Sequence, residues 1–203
     1  MTYISLCEAV RACKACPLGG YQHGVPGKFV GTPPTQLMIL GEAPGGVEMA
    51  RGEPFVGQSG ELLRSLLKEV GLESYYLSNM VRHQPPKVKG KQQAPDKVAV
   101  AACAPFLRAE LDLVKPTKLI LLGGIAAKLV VEGNFKVGSV VNQTYEYNGL
   151  PTLLLFHPSY FLRNRTSPWI QKAVREWKGA LRLFLGDKAP TYRVEHVICP
   201  THS

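Results

Sequence analysis

Gln36-Leu37-Met38-Ile39-Leu40 runs straight into Gly41-Glu42-Ala43-Pro44-Gly45. A short unbroken apolar run that stops at glycine is the pattern of a strand covered on both faces, since a half-exposed strand would alternate. Outward from it the same grammar repeats. Residues Gly57 to Val70 read as a helix with Leu62, Leu63, Leu66 and Leu67 on one face. Tyr75 to Val81 reads as a second strand, and Pro95 to Val114 as a helix opened by proline. Lys118 to Leu122 is a third strand, with another helix expected after Gly123-Gly124. Val140 to Tyr147 reads as an extra strand and Pro151 to Phe156 as a further one. Ser167 to Leu185 closes the series as an amphipathic helix, with Ser167 the expected cap and Pro168 its first residue. Strands alternating with helices predict a single-domain α/β/α sandwich on a mainly parallel, four-stranded central sheet. Residues 1–186 are assigned to that domain. Residues 187–203 break the pattern and read as a tail.

Composition agrees. The chain has 203 residues, enough for one domain, and its 45% hydrophobic and 19% charged fractions exclude global disorder. No window is long and apolar enough to span a membrane, and the N-terminus lacks the pattern of a secretory signal. The chain is therefore expected in a reducing cytoplasm, where five cysteines, an odd number, argue against a disulfide framework. Metal binding, catalysis and core packing are left as their roles. Lys plus Arg total 24 against 15 acids, a formal charge of +9. Such a surplus suits a polyanionic partner, nucleic acid first, though a solubility surplus gives the same arithmetic.

Ligands of open parallel sheets bind beyond the carboxyl ends of the strands. Here those ends carry Gly41-Glu42-Ala43-Pro44-Gly45, Ser78-Asn79, Gly123-Gly124 and His157-Pro158-Ser159. Glu42, Asn79 and His157 therefore fall on one rim. A carboxylate, an amide and an imidazole there can activate water, read a base edge and stabilise an oxyanion. Each alone could merely bond backbone or cap a turn; three together indicate a site. Between the first strand and its helix lies Gly52-Glu53-Pro54-Phe55-Val56-Gly57. Phe55 either stacks on a planar ligand or plugs the core, and both readings stand.

These segments together resemble the uracil-DNA glycosylase superfamily, and its family 4 most closely. The matching residues are Cys13-x-x-Cys16-Pro17-Leu18, Gly41-Glu42-Ala43-Pro44-Gly45, and Gly52-x-Pro54-Phe55-Val56-Gly57-x-x-Gly60-x-Leu62-Leu63. Ser78-Asn79-Met80-Val81, Cys103-x-Pro105-Phe106-Leu107, Leu122-Gly123 and His157-Pro158-Ser159-Tyr160 follow in order. The resemblance implies hydrolysis of the N-glycosidic bond of uracil in single- or double-stranded DNA, with the target nucleotide flipped out of the stack. It implies that Phe55 stacks on the base, Asn79 bonds the uracil edge and His157 stabilises charge on uracil O2. Gly41, Ala43 and Ser159 complete the base pocket. Glu42 is the expected water carboxylate and Glu48 a second choice. Ala43 stands where the best-known uracil glycosylases carry an aspartate. Tyr160, Phe161, Leu162, Arg163 and Arg165 combine apolar wedges with cations, as a loop that fills the vacated stack and grips phosphates would. An amphipathic connector is the other reading. Lys87, Lys89 and Lys91 make a basic edge that either meets phosphates or is simply solvated. A monomer that makes no membrane contact is expected. No lysine stands in the pocket motifs, so strand cleavage through a Schiff base is not expected.

Family 4 enzymes hold a 4Fe–4S cluster on four cysteines. Cys13, Cys16 and Cys103 match three of them, and His83 in Arg82-His83-Gln84-Pro85-Pro86 stands in place of the fourth. Imidazole can ligate an iron–sulfur cluster. The expectation is a structural cluster on Cys13, Cys16, His83 and Cys103. Zinc on the same ligands is the rival, and an empty vestige the third reading. The X-type uracil glycosylases, which crosslink to uracil-DNA, also resemble this chain at that histidine. Their crosslinking loop histidine has no counterpart: Lys89-Gly90-Lys91-Gln92-Gln93-Ala94-Pro95 occupies the region, and no histidine falls between His83 and His157. Turnover rather than crosslinking is therefore expected. A non-hydrolytic uracil-DNA binder, or a glycosylase for another deaminated base, is the alternative. The spacing His196-x-x-Cys199-x-x-His202 is attributed to chance.

Overall fold

The computed structural model of the chain describes residues 1–20 and 22–186. The expected tail, with His196, Cys199 and His202, lies outside them. In chain order the elements are α1 (Tyr3–Ala12), β1 (Lys28–Val30), β2 (Leu37–Gly41), α2 (Gly46–Arg51), α3 (Gln58–Glu69) and β3 (Tyr75–Asn79). Then come β4 (Lys87–Val88), β5 (Lys91–Gln92), α4 (Lys97–Val114), β6 (Lys118–Leu122) and α5 (Gly124–Ala127). The last described elements are β7 (Gln143–Tyr147), β8 (Leu150–Leu155), α6 (Pro158–Arg163) and α7 (Ile170–Leu185).

Among the described residues the main sheet has six strands, in the order β1-β3-β2-β6-β8-β7. Its centre is the expected parallel set, β3, β2, β6 and β8. Antiparallel strands β1 and β7 widen it at the two edges. The β7–β8 turn is Asn148-Gly149, both at positive φ, the backbone that a right-twisted two-residue hairpin requires. Alternate side chains of each central strand enter two cores. Ile39, Tyr75, Leu77, Ile120 and Leu153 meet α3 through Leu63, Leu66 and Leu67, and α7 through Trp177, Leu181 and Phe184. Met38, Leu40, Tyr76, Leu119 and Leu121 meet α4, through Leu107 and Val114, and α5, through Ala126 and Ala127. Burial on both sides is what the continuous apolar runs signalled.

Two helix starts differ from expectation. Helix α4 is capped by Asp96, whose carboxylate accepts the Ala99 N–H at 2.7 Å, and it begins after Pro95. Helix α7 begins at Ile170, with Trp169 at its cap position and no side-chain cap bond. Ser167 instead closes a turn in which Ile170 N–H reaches the Ser167 carbonyl at 3.1 Å. No described helix is long and apolar enough to cross a membrane.

Candidate active site

Parallel strands end together, so their carboxyl ends share a rim. Gly41 of β2 and Asn79 of β3 are register partners there. The ladder continues one step beyond each strand, Met80 N–H to Gly41 O at 2.8 Å and Val81 N–H to Glu42 O at 3.1 Å. Gly41 has to be glycine. A Cβ at that position would lie 2.5 Å from Phe55 Cζ and 2.6 Å from Asn79 Oδ1. That single contact brings the aromatic and the amide together across the strand end.

Phe55 is 4% exposed and sits at φ +57°, a left-handed backbone that aromatic residues avoid. Two residues hold it there. Its carbonyl accepts from Arg64 Nη1 of α3. Gly60 lets that backbone press on the helix, because a Cβ on Gly60 would collide with the Phe55 carbonyl. The Phe55 ring lies 5.9 Å from the His157 ring, 25° from parallel. It belongs to the core and lines the cleft at once, so the two readings of Phe55 merge.

His157 caps α6. Its Nδ1 accepts the Ser159 N–H at 3.2 Å and lies 2.9 Å from Ser159 Oγ, which in turn accepts from Arg163 Nη1 at 2.9 Å. With Nδ1 an acceptor, the proton sits on Nε2, which becomes a donor. Burial, then the nearby Arg163 cation, pulls the imidazole down to about pH 4. It is neutral at physiological pH.

Glu42 is half-buried, and burial raises its carboxyl above the ordinary range against the pull of Arg163 and Lys128. Glu48 is spent on backbone: its oxygens accept Gly45 N–H at 3.1 Å and Gly57 N–H at 2.7 Å, clamping two glycine loops together. Glu42, Ala43, Glu48, Phe55, Asn79 and His157 all line one cleft of about 1040 Å³. Ser159, Tyr160, Leu162 and Arg163 also line it.

Residues 29–178 match the model of the uracil DNA glycosylase superfamily. The chain is 35% identical over 165 residues to a type-4 uracil-DNA glycosylase of Thermotoga maritima, spanning 79% of this chain and 83% of that protein. It is 33% identical over 167 residues to the type-4 uracil-DNA glycosylase of Pyrobaculum aerophilum, spanning 77% and 82%. A third, from Saccharolobus solfataricus, is 32% identical over 183 residues, spanning 84% and 81%. The chain belongs to the uracil-DNA glycosylase superfamily.

Beyond the cleft floor, this superfamily member arranges its expected DNA-facing residues unevenly. Tyr160 stacks on Phe156 at 4.1 Å, only 3° from parallel, and Leu162 is half-buried at the cleft wall. Arg165 is exposed. Phe161 corrects the expectation: at 4% exposure it packs in the core with Phe55 and Trp177, so it cannot wedge into DNA. Lys87, Lys89 and Lys91 ride an exposed hairpin, β4–β5, that turns at Lys89-Gly90, both at positive φ. Gln92 ties that hairpin down, accepting from Gln84 Nε2 at 2.9 Å and donating to Pro44 O at 3.4 Å. The hairpin brings Lys91 to the cleft, although no pocket motif contains a lysine. Arg64, Gly60 and Gln92 were not among the expected site residues. Only Gly60, inside the Gly57-x-x-Gly60 spacing, carried a visible signal.

Cys13, Cys16 and Cys103 gather behind the cleft. Cys16 and Cys103 share a small core with Val81 and Ala99, and Ala43 packs against it from the cleft side. Cys13 Sγ accepts the Ala15 N–H at 3.5 Å, and Cys103 accepts the Arg82 backbone N–H. His83 is 1% exposed, and neither ring nitrogen has a partner among the described residues. Burying an imidazole with both nitrogens unmet is costly unless something binds there. A Cβ on Gly19 would come within 3.3 Å of His83 Cε1 and 2.6 Å of the Cys13 carbonyl, so His83 sits beside the Cys13 segment. Among the described residues, no three His, Cys, Asp or Glu side chains converge as a ready metal-binding group. Cys13, Cys16 and Cys103 are free thiols, and with the orphaned His83 imidazole they are residue types that a thiophilic metal or cluster takes, although the described side chains do not converge on one point.

Proposed function

We propose that this chain excises uracil from DNA by hydrolysing the N-glycosidic bond, with the nucleotide flipped into the cleft. The observation that carries the reading is His157 at the cleft, whose Nδ1 is occupied by Ser159 and whose Nε2 meets no partner among the described residues; burial keeps the ring neutral, with Nε2–H a donor. Phe55 stacks on the flipped base. With Nδ2 turned toward O4 and Oδ1 toward N3–H, the Asn79 amide matches uracil, and in that orientation it mismatches the amino group and bare N3 of cytosine. Nε2–H of His157 bonds uracil O2 as negative charge develops there, and a donor placed before the reaction needs no reorganisation. Glu42 accepts a proton from the attacking water, whose oxygen bonds to C1′ while N1 departs with the bonding pair. Glu48 holds the loops that carry Glu42 and Phe55. Leu162 fills the vacated stack, and Arg163, Arg165, Lys87, Lys89 and Lys91 meet phosphates.

The test is a labelled, uracil-containing oligonucleotide, single- or double-stranded, incubated with the protein, treated with alkali and run on a denaturing gel. Alkali-labile cleavage at uracil is expected. An intact strand would transfer the chemistry to another base, and a heat-stable shifted band would mean crosslinking.

We further propose that Cys13, Cys16, His83 and Cys103 hold a 4Fe–4S cluster. It would fasten the N-terminal segment to the loop after β3, behind Ala43 and next to Asn79. The orphaned His83 nitrogens support this. Broad visible absorption with bound iron and sulfide is expected, abolished in His83→Ala and retained in His83→Cys. Zinc without colour would favour the zinc site instead.

A further inference from the structure

We propose that Trp169 is a stacking platform for a base of the DNA strand flanking the flipped nucleotide, a subsite outside the cleft. The proposal rests on the DNA-glycosylase reading above. The chain has two tryptophans, and they are used in opposite ways. Trp177 is 1% exposed and its indole N–H donates to the Phe156 carbonyl at 3.1 Å. Trp169 is 43% exposed, and its indole N–H meets no partner among the described residues. It sits at the cap position of α7 without making a cap bond, so the helix start gains no hydrogen bond from that side chain.

Its placement is not isolated. Phe156 and Tyr160 line the cleft and stack at 4.1 Å, and Trp169 lies 5.7 Å from Tyr160, tilted by 38°. The three rings form a staircase from the cleft wall to the surface. Arg163 at the cleft and exposed Arg165 stand on the same segment. Aromatic steps beside cations suit a strand with unstacked bases: every base has a π-face, and the guanidinium groups meet its phosphates. A base stacked on Trp169 must have left its own stack, so the subsite favours single-stranded DNA, or the strand opened beside a flipped nucleotide, over intact duplex.

The experiment uses the full chain and its own fluorescence, titrated with a single-stranded oligonucleotide lacking uracil; anisotropy of a labelled copy reports binding independently. Saturable quenching is expected in the wild type. Trp169→Phe keeps a stacking ring and should lose most of the quenching, with Trp177 emission showing the fold intact and affinity changed by no more than a few-fold. Trp169→Ala should bind roughly five- to a hundred-fold more weakly. Binding without quenching, wild-type affinity in Trp169→Ala, or equal quenching by blunt duplex would each overturn the platform. The uracil-excision assay separates the two claims. Excision without quenching removes the platform alone, and quenching without excision removes the glycosylase reading alone.

Discussion

Ser78 and Asn79 are consecutive residues of β3, so their side chains point to opposite faces of the sheet. On the Ser78 face every carboxylate oxygen is occupied. Glu110 Oε1 accepts from Gly27 N–H at 3.3 Å and from Tyr76 Oη and Ser78 Oγ, both at 3.1 Å. Its Oε2 pairs with Arg82 Nη2 at 2.8 Å, and Arg82 Nη1 donates to Ser78 Oγ. Both charged side chains are fully buried. On the other face, Asn79 is 4% exposed and its amide finds no partner among the described residues. Asn79 also lines the cleft, so an amide donor and acceptor that no described protein group occupies are open there to a ligand. The face saturated around Glu110, where Arg82 Nε alone is left without a partner among the described residues, fixes the strand, and on the unsaturated face that rigidity would hold the proposed recognition amide in place.

Removing one partner from the saturated face should have the largest effect. Glu110→Ala leaves the Arg82 guanidinium buried and unpaired, with the Tyr76 and Ser78 hydroxyls short of an acceptor. A loss of about 3–5 kcal/mol is expected, read from urea unfolding. A loss below about 1 kcal/mol would mean that water enters the network and that the two faces do not differ as described.

On the unsaturated face the loss should fall on chemistry. His157→Ser should slow excision by about 10²–10³-fold, the usual effect of deleting one oxyanion donor. Serine is itself a good helix cap, so α6 should survive and oligonucleotide affinity should change little. Asn79→Asp replaces the amide donor with an acceptor-only carboxylate, and uracil excision should fall relative to cytosine excision. If either change unfolds the protein before it slows the reaction, the division between the faces is wrong.

Glu42 sharpens the comparison because it predicts opposite signs for activity and stability. Burial raises its folded carboxyl above the ordinary 4.5. The ionised form is therefore disfavoured in the fold, a cost fully present above the folded pKa and gone below the unfolded one. Glu42→Gln should lose excision while being no less stable than wild type at pH 7, and any stability gain should fade as pH drops through the raised value. In the wild type, the acid limb of the excision rate should lie above 4.5, and no limb from His157 should appear near 6.5, because that ring titrates at about 4.

Much of this was legible in the chain. β2, β3, β6 and β8 are buried on both faces and read as unbroken apolar runs, so strand ends, and with them Glu42, Asn79 and His157, could be placed on one rim. Edge strand β1 and the β4–β5 hairpin were not, because strands of three and two residues have no period to detect. Gly90 was the one local mark of that hairpin. Phe161 shows the limit from the other side. Its neighbours Tyr160 and Leu162 line the cleft, but one helical step turns Phe161 inward, and composition carries no information about that rotation. Arg82 and Glu110 lie 28 residues apart, and only the fold brings them together.

The smallest expected effect concerns the hairpin lysines, and it decides whether the polar rim ends at the cleft or extends along the strand. Lys87, Lys89 and Lys91 are exposed, and no salt bridge engages them among the described residues. Only Lys91 reaches the cleft. Each phosphate contact to single-stranded DNA releases counterions and steepens log K against log salt by about 0.7. Replacing all three with glutamine should flatten that slope by about 2 if all three meet phosphate, and by about 0.7 if Lys91 acts alone. Gln84, Gln92 and Pro44 would still hold the hairpin, so the change would be electrostatic, not structural. An unchanged slope would leave the hairpin as a brace for the Pro44 loop, with its charges facing water. DNA would then be held by the cleft, the arginines after His157 and the Trp169 ring.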